Sequence, residues 1–155
     1  MHTVSVARRI NAPFEDVWSV LDDFGGVANY HPNVATSGIV AGPDTGVGAT
    51  RECVFHDGGR IEEEIVAYAS ETGYVVDFTD VGDLPLKENV VSIDVETIDD
   101  GATSVTMTAN FTPKFGPVGW VMATVMMKSR FRETFEETLD GLVAYVHRRQ
   151  TVAER

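Results

Sequence analysis

The feature that most constrains this chain is a change of period just after Pro113. From Val34 to Pro113 apolar and polar residues alternate, with turn signals between the runs. Those signals are Gly42-Pro43-Asp44, His56-Asp57-Gly58-Gly59, Glu71-Thr72-Gly73, Gly82-Asp83-Leu84-Pro85 and Asp99-Asp100-Gly101. Val91, Ile93 and Val95 alternate with Ser92, Asp94 and Glu96, and Val105, Met107, Ala109 and Phe111 alternate with Thr106, Thr108 and Asn110. Such alternation predicts half-buried antiparallel strands. After Phe115-Gly116-Pro117 the period becomes 3.6. Trp120, Ala123, Met127, Phe131, Thr134, Phe135, Leu142, Tyr145 and Val146 form a stripe, and Glu133, Glu136, Glu137 and Asp140 lie largely off it. His147, Arg148 and Arg149 suit the negative end of the helix dipole. Pro117 to Arg149 is 33 residues, or roughly 50 Å of helix. A helix that long must cross the whole concave face of a curved sheet. One helix cannot fill such a concavity, so a cavity between helix and sheet follows.

Ahead of the meander, Val4 to Ile10 reads as a strand. Asn11-Ala12-Pro13-Phe14-Glu15-Asp16 reads as a helix entry, with Asn11 or Ala12 near the cap and Pro13 in the first turn. Phe14, Val17, Trp18 and Leu21 make its apolar stripe, and Gly25-Gly26 is expected to stop it. A second short helix then runs towards Tyr30. The predicted fold class is α+β: a strand, two short helices, six antiparallel strands and a long C-terminal helix. Together they make a seven-stranded curved sheet around that helix.

The chain has 155 residues, a size that suits one domain spanning 1–155 with a sizeable core. Twelve Lys+Arg against twenty-four Asp+Glu give a net charge of −12, so phosphate backbones and anionic membranes repel the molecule as a whole. Nucleic acid is not expected as a partner on that ground. The single cysteine, Cys53, leaves no internal disulfide and no cysteine-based metal site. The alternating start, Met1 to Ile10, is no signal peptide, and the apolar stretch Val118 to Met127 is about half of a membrane span. The expectation is a cytoplasmic protein without membrane insertion, monomeric or homodimeric, and without a cofactor.

The order of elements resembles the helix-grip fold of the START/birch-pollen-allergen superfamily, whose bacterial members are labelled polyketide cyclase/dehydrase-like. Ile10-Asn-Ala-Pro-Phe-Glu-Asp-Val-Trp18 resembles that family's opening I-x-A-P-x-x-x-V-W. Asp23-Phe24-Gly25 and Tyr30-His31-Pro32 resemble its D-F and W-x-P elements, and Val47-Gly-Ala-Thr-Arg51 is similar to the start of its third strand. Gly82-Asp83-Leu84-Pro85-Leu86 resembles a loop at the pocket mouth. The resemblance covers about residues 3 to 147. It speaks to fold and says little about substrate, because the superfamily spans carriers, receptors and enzymes. Val47–Arg51 and the two following loops also look like plant abscisic-acid receptors, where those loops act as gate and latch. Here the gate is shorter and lacks Ser-Gly-Leu-Pro. Val34-Ala35-Thr36-Ser37 has no Lys where the receptors hold the ligand's carboxylate, so hormone reception is not implied.

Arg51 shares a strand face with Cys53 and Phe55. If Asp57-Gly58-Gly59 is a three-residue hairpin loop, Phe55 pairs with Ile61, Cys53 with Glu63 and Arg51 with Ile65. Arg51 and Glu63 then become diagonal neighbours on the cavity face. They form either a polar patch that orients a ligand or a structural ion pair; alternatively Glu63 points to solvent. A two-residue turn would put Glu62 and Glu64 inside instead. Asn89, on the face of Val91, Ile93 and Val95, either hydrogen-bonds a ligand or bonds nearby backbone. Phe55, Val91, Ile93, Met107, Met127, Phe131 and Phe135 are candidate pocket linings. Met126 is a further one, with ordinary core as the competing reading for most of them. The gate loops are His56 to Arg60, with Gly58 and Gly59, and Val81 to Lys87, with Leu84, Pro85 and Leu86. Leu84 and Leu86 either fold over the entrance, against the ligand or Pro117–Trp120, or belong to a plain hairpin.

The four histidines, His2, His31, His56 and His147, show no metal-ligand spacing, and no nucleophile elbow or phosphate loop is present. The leading reading is binding of a small apolar or amphipathic molecule, with burial worth roughly 25 cal/mol per Å². The alternatives are a polyketide cyclase, aromatase or dehydratase, for which Arg51, Glu63, Asn89 and His56 are the acid/base candidates, and an interaction module without a ligand.

Overall fold

A computed structural model of the chain describes residues 2–114 and 120–153. The junction Phe115-Gly116-Pro117, and with it the expected helix start and lid contact, lies outside the described residues. So do the side chains of Trp120 and Ala123. The elements are β1 (His2–Ile10), α1 (Phe14–Asp22), a 3-10 segment (Phe24–Asn29), β2 (Val34–Ala41), β3 (Thr50–Phe55), β4 (Arg60–Ala69), β5 (Gly73–Asp80), β6 (Leu86–Asp99), β7 (Ala102–Pro113) and α2 (Trp120–Ala153). The seven strands form one antiparallel sheet in the order β1-β7-β6-β5-β4-β3-β2. This is the α+β helix-grip fold expected from the sequence. The meander pairs each strand with the next, and β1 closes against the last strand.

Several boundaries differ from the sequence reading. Pro13 occupies the N-cap, one position outside the first turn, and makes no side-chain cap; Glu15 and Asp16 then sit in the first turn, where the dipole favours them. Gly25-Gly26 do not terminate α1. The helix ends at Asp22, and the glycines lie inside the 3-10 segment, where Gly26 takes the non-helical φ −92°, ψ 17°. α2 runs to Ala153, four residues past Arg149, for 34 residues in all.

α1 buries Val17, Trp18, Val20 and Leu21. α2 lies over β1 and β7, whereas the 3-10 segment lies over β2 and β3 at the other end of the sheet. Each cover is tied down by polar contacts. The Ser37 hydroxyl donates to the Gly25 carbonyl (2.8 Å) and accepts from the Ala28 N–H (3.0 Å). An Arg8–Asp140 ion pair joins β1 to α2, and the Gln150 amide donates to Asp16 of α1 (3.0 Å). The core gathers Ile10, Phe24, Ile65, Val105, Phe111, Leu139 and Leu142, all under 2% exposed.

The two covers meet at Gly141. A Cβ there would stand 2.0 Å from the Tyr30 carbonyl oxygen, inside any allowed contact. Glycine in mid-helix normally costs about 1 kcal/mol relative to alanine. Here it permits the helix to touch the end of the 3-10 segment. Gly141→Ala is therefore expected to lower stability by about 1–3 kcal/mol despite the gain in helix propensity. Thermal unfolding checks this, and a raised Tm would mean that α2 does not pass Tyr30 so closely.

Candidate functional site

β3 and β4 pair as Arg51↔Glu63, Cys53↔Ile61 and Thr50↔Glu64. The expected register, Cys53 opposite Glu63 and Arg51 opposite Ile65, is off by two residues. The physical reason is the turn. Phe55 N–H donates to the Gly59 carbonyl (2.8 Å) and Gly58 N–H to the Phe55 carbonyl (3.0 Å), so the loop closes on His56-Asp57-Gly58 and Gly59 already pairs. A slip of two preserves facing. Arg51, Cys53 and Glu63 are all buried, while Glu62 and Glu64 are half-buried on the opposite side.

Arg51 and Glu63 are thus directly opposed, not diagonal. Arg51 Nε donates to Glu63 Oε1 (3.2 Å) and Nη2 to Oε2 (3.3 Å), a bidentate fork. Nη1 donates to the Phe24 carbonyl (3.0 Å), and the guanidinium lies 4.0 Å from the centroid of the Phe24 ring. Burial alone would lower the arginine's pKa. The Glu63 carboxylate, together with the smaller effects of Cys53, Tyr30 and Tyr74, outweighs it and holds the guanidinium firmly protonated. The Cys53 thiol donates to Glu63 Oε1 (3.2 Å). Burial pushes that thiol well up, and the neighbouring carboxylate adds to the effect. Cys53 is therefore a neutral thiol, unsuited to nucleophilic attack.

Three residues join this cluster that the sequence reading did not single out for it: Tyr30, His31 and Tyr74. Burial pushes up the hydroxyls of both tyrosines, and Tyr74 donates to the Leu21 carbonyl (3.1 Å). Desolvation pulls His31 down to about 4, against a smaller raising effect of Glu63. The ring is half-buried, and its Nδ1 accepts from the Asn33 N–H (3.2 Å). The signal for Tyr30 and His31 was present in Tyr30-His31-Pro32, which bears on fold but does not say which strand it meets.

Across the sheet, one inward row continues from this pair. Glu63 pairs with Phe78 of β5, and Asn89 of β6 pairs with Phe111 of β7. The β5–β6 register, Val76↔Val91 and Asp77↔Val90, sets Phe78 beside Asn89. Phe78 was missed, although Tyr74, Val76 and Phe78 alternate as an inward face. Asn89 is wholly buried, and neither its amide oxygen nor its nitrogen has a hydrogen-bond partner among the described residues.

Val91, Ile93 and Phe135 are buried, while Phe55, Met107, Met127 and Phe131 are half-buried against the core. Phe131 touches both Phe111 (centroids 4.7 Å apart) and Phe135 (5.9 Å). Met126 is 65% exposed and lines nothing on the inner side. The two loops come together. Gly82, at φ +58°, passes so close to Arg60 that a Cβ would meet its carbonyl oxygen at 2.1 Å. Between the loops is a cleft of about 420 Å³ walled by Phe55, Gly58, Gly59, Val81 and Leu84, with Asp57, Arg60 and Asp83 also in its wall. Beside it a second, of about 330 Å³, has Arg60, Glu62, Asp80 and Asp83 in its wall. Leu84 packs half-buried, and His56 and Pro85 are exposed. Leu86 is not on the loop at all. It opens β6 opposite Pro113 and is buried, because the strand begins two residues earlier than Glu88. Arg60 likewise belongs to β4. Among the described residues no three His, Cys, Asp or Glu side chains gather as metal ligands.

Two outcomes follow from the buried cluster. Glu63→Ala strands the guanidinium and should cost about 3–5 kcal/mol in chemical denaturation. His31 is neutral when folded and charges more readily when unfolded. Its contribution is therefore present above pH ~6.5 and is lost as pH falls towards ~4. Other carboxylates also titrate there, so the comparison is with His31→Gln, whose stability should fall less steeply across that window. Equal slopes would remove His31 from the account.

Comparison with known proteins places this geometry. No curated protein matches the sequence. Among solved structures, the fold matches a START superfamily protein from Mycobacterium smegmatis at TM-score 0.79 and 17% identity, covering 96% of this chain and 99% of that one. It matches the Zhui aromatase/cyclase from Streptomyces sp. R1128 at TM-score 0.77 and 15% identity, over 96% and 94% of the two chains. A Thermobifida fusca protein matches at TM-score 0.78 and 23% identity, over 96% and 95%. At such identities the likeness is one of fold. No described helix is long and apolar enough to cross a membrane. The family model described as polyketide cyclase / dehydrase and lipid transport matches residues 1–147, and the chain belongs to that family.

Proposed function

We propose that the chain binds a small apolar or amphipathic molecule on the concave face of the sheet, admitted between the β3–β4 turn and the β5–β6 loop. The observation that carries this reading is the cleft of about 420 Å³ at that end, where the inward Phe55, with Val81 and Leu84, faces open space beside a charged rim of Asp57, Arg60 and Asp83. Apolar side chains beside open space gain nothing from water, and a ligand that covers them gains burial. Half-buried Met107, Met127 and Phe131 extend an adaptable apolar wall beneath α2.

Binding is favoured over cyclase or dehydratase chemistry by the state of the inner acid/base groups. Glu63 accepts two bonds from Arg51 and one from Cys53, so it is not free to take a substrate proton. The Cys53 thiol stays neutral. His56, the loop candidate, is solvent-exposed in the turn.

Filling the wall tests the reading. Met107 is half-buried opposite Ile93, so a larger side chain there intrudes on the proposed space without replacing a fully packed residue. Met107→Trp should weaken binding of Nile red at least about tenfold, with circular dichroism unchanged. Unaltered affinity would mean that the dye sits on the outer surface, and the binding reading would fall.

A further inference from the structure

Asn89 is the one residue on the inner row whose chemistry the fold leaves unused. Its neighbours along the inward face of β6 are Leu86, Val91, Ile93 and Val95, all apolar and buried. Across the strands it stands between Phe78 and Phe111, and Phe111 is capped by Phe131 of α2. Its side chain is 0% exposed, with Oδ1 and Nδ2 both unbonded among the described residues. An amide withdrawn from water without partners destabilises the fold, and a leucine of similar volume would not. Buried polar groups in folded proteins are nearly always satisfied, so an exception of this kind points to a group that binds something.

The surroundings limit what that can be. Arginines on the inner strand face are committed: Arg51 to Glu63 and Phe24, Arg8 to Asp140. An anion brought beside Asn89 would therefore lack these guanidinium groups, and the cation nearest this end of the row is Lys128 of α2, which acts on His2 beside Phe111. A primary amide offers one acceptor and two donors in a single plane. Its best complement is a neutral group with donor and acceptor side by side.

We propose that Asn89 is the polar anchor of the site, and that the molecule bound there carries a neutral paired donor and acceptor, such as a carboxamide, lactam or imide, on an apolar or aromatic body. This rests on the binding function proposed above and adds the chemical class of the ligand. Phe78, Phe111 and Phe131 supply the flat apolar walls, and the amide sets depth and orientation. A site built to bond a polar group discriminates strongly against the analogue that lacks it, because its own amide is then left unpaired.

Three probes of one size separate the possibilities: 2-ethylnaphthalene, 2-naphthamide and 2-naphthoate, titrated by calorimetry against the wild-type protein and Asn89→Leu. Asn89→Met is the second variant if leucine is not accommodated. The wild type should bind the amide at least about tenfold tighter than either companion. In Asn89→Leu that preference should collapse to within about twofold while the hydrocarbon still binds, and the Tm of the unliganded variant should rise by several degrees. If the hydrocarbon binds the wild type as well as the amide does, the pocket stands and the role of Asn89 is overturned. Tightest binding of the naphthoate overturns the neutral class. A lower Tm in both variants shows that Asn89 has a structural partner and overturns the anchor. If none of the three probes binds the wild type, the binding function fails, and this inference fails with it.

Discussion

The buried ion pair between Arg51 and Glu63 is the interaction on which the rest of this structure depends. Taking both charges out of water costs several kcal/mol per ion, and only close geometry with further bonds offsets it. That geometry is supplied from three directions: β3 carries the fork, β4 carries the carboxylate, and the 3-10 segment offers the Phe24 carbonyl and ring. A register slip of two along β3–β4 would keep the facing but separate the charges. The pair therefore holds one register among those that the apolar pattern tolerates. It also fixes the 3-10 segment, and through Tyr30 the point where α2 crosses at Gly141.

That arrangement has a functional consequence. The charged groups that look most like ligand-binding residues spend their bonds on one another, with Cys53 filling another acceptor site on Glu63. What remains on the inner row is Phe78, Asn89 and Phe111, with His2 of β1 at its end. The concave face offers apolar wall and one unsatisfied amide. A fold shared with an aromatase/cyclase and with a START superfamily protein is compatible with many chemistries, so the side chains on that row have to discriminate.

Much of the architecture was legible in the sequence because it depends on period. Alternation in Val91–Val95 and Val105–Phe111 marks strands, the 3.6 spacing beyond Trp120 marks the long helix, and the glycine-rich turns mark where strands reverse. Boundaries were less legible. Gly25-Gly26 read as a stop, yet they sit within a 3-10 turn, since a 3-10 segment tolerates the conformation that ends an α-helix. Leu86 read as part of a loop, yet β6 begins there, because pairing with Pro113 and burial outweigh the turn signal just before it. Met126 belonged by type to the pocket and by helical phase to solvent.

The sequence by itself determined the order of elements, the shared strand face of Arg51, Cys53 and Phe55, that of Asn89 with Val91, Ile93 and Val95, and the lack of an internal disulfide. All of these follow from local spacing and composition, whereas the inward facing of Glu63 waited on the length of the turn. Only the tertiary structure decided which inward residues meet. Arg51 closes on Glu63, with His31 and Tyr30 brought against them from beyond the first helix, whereas Asn89 meets no hydrogen-bond partner among the described residues. Those outcomes depend on cross-strand register and on how two covers pack over one sheet. Such contacts span tens of residues and leave no periodic trace in the chain.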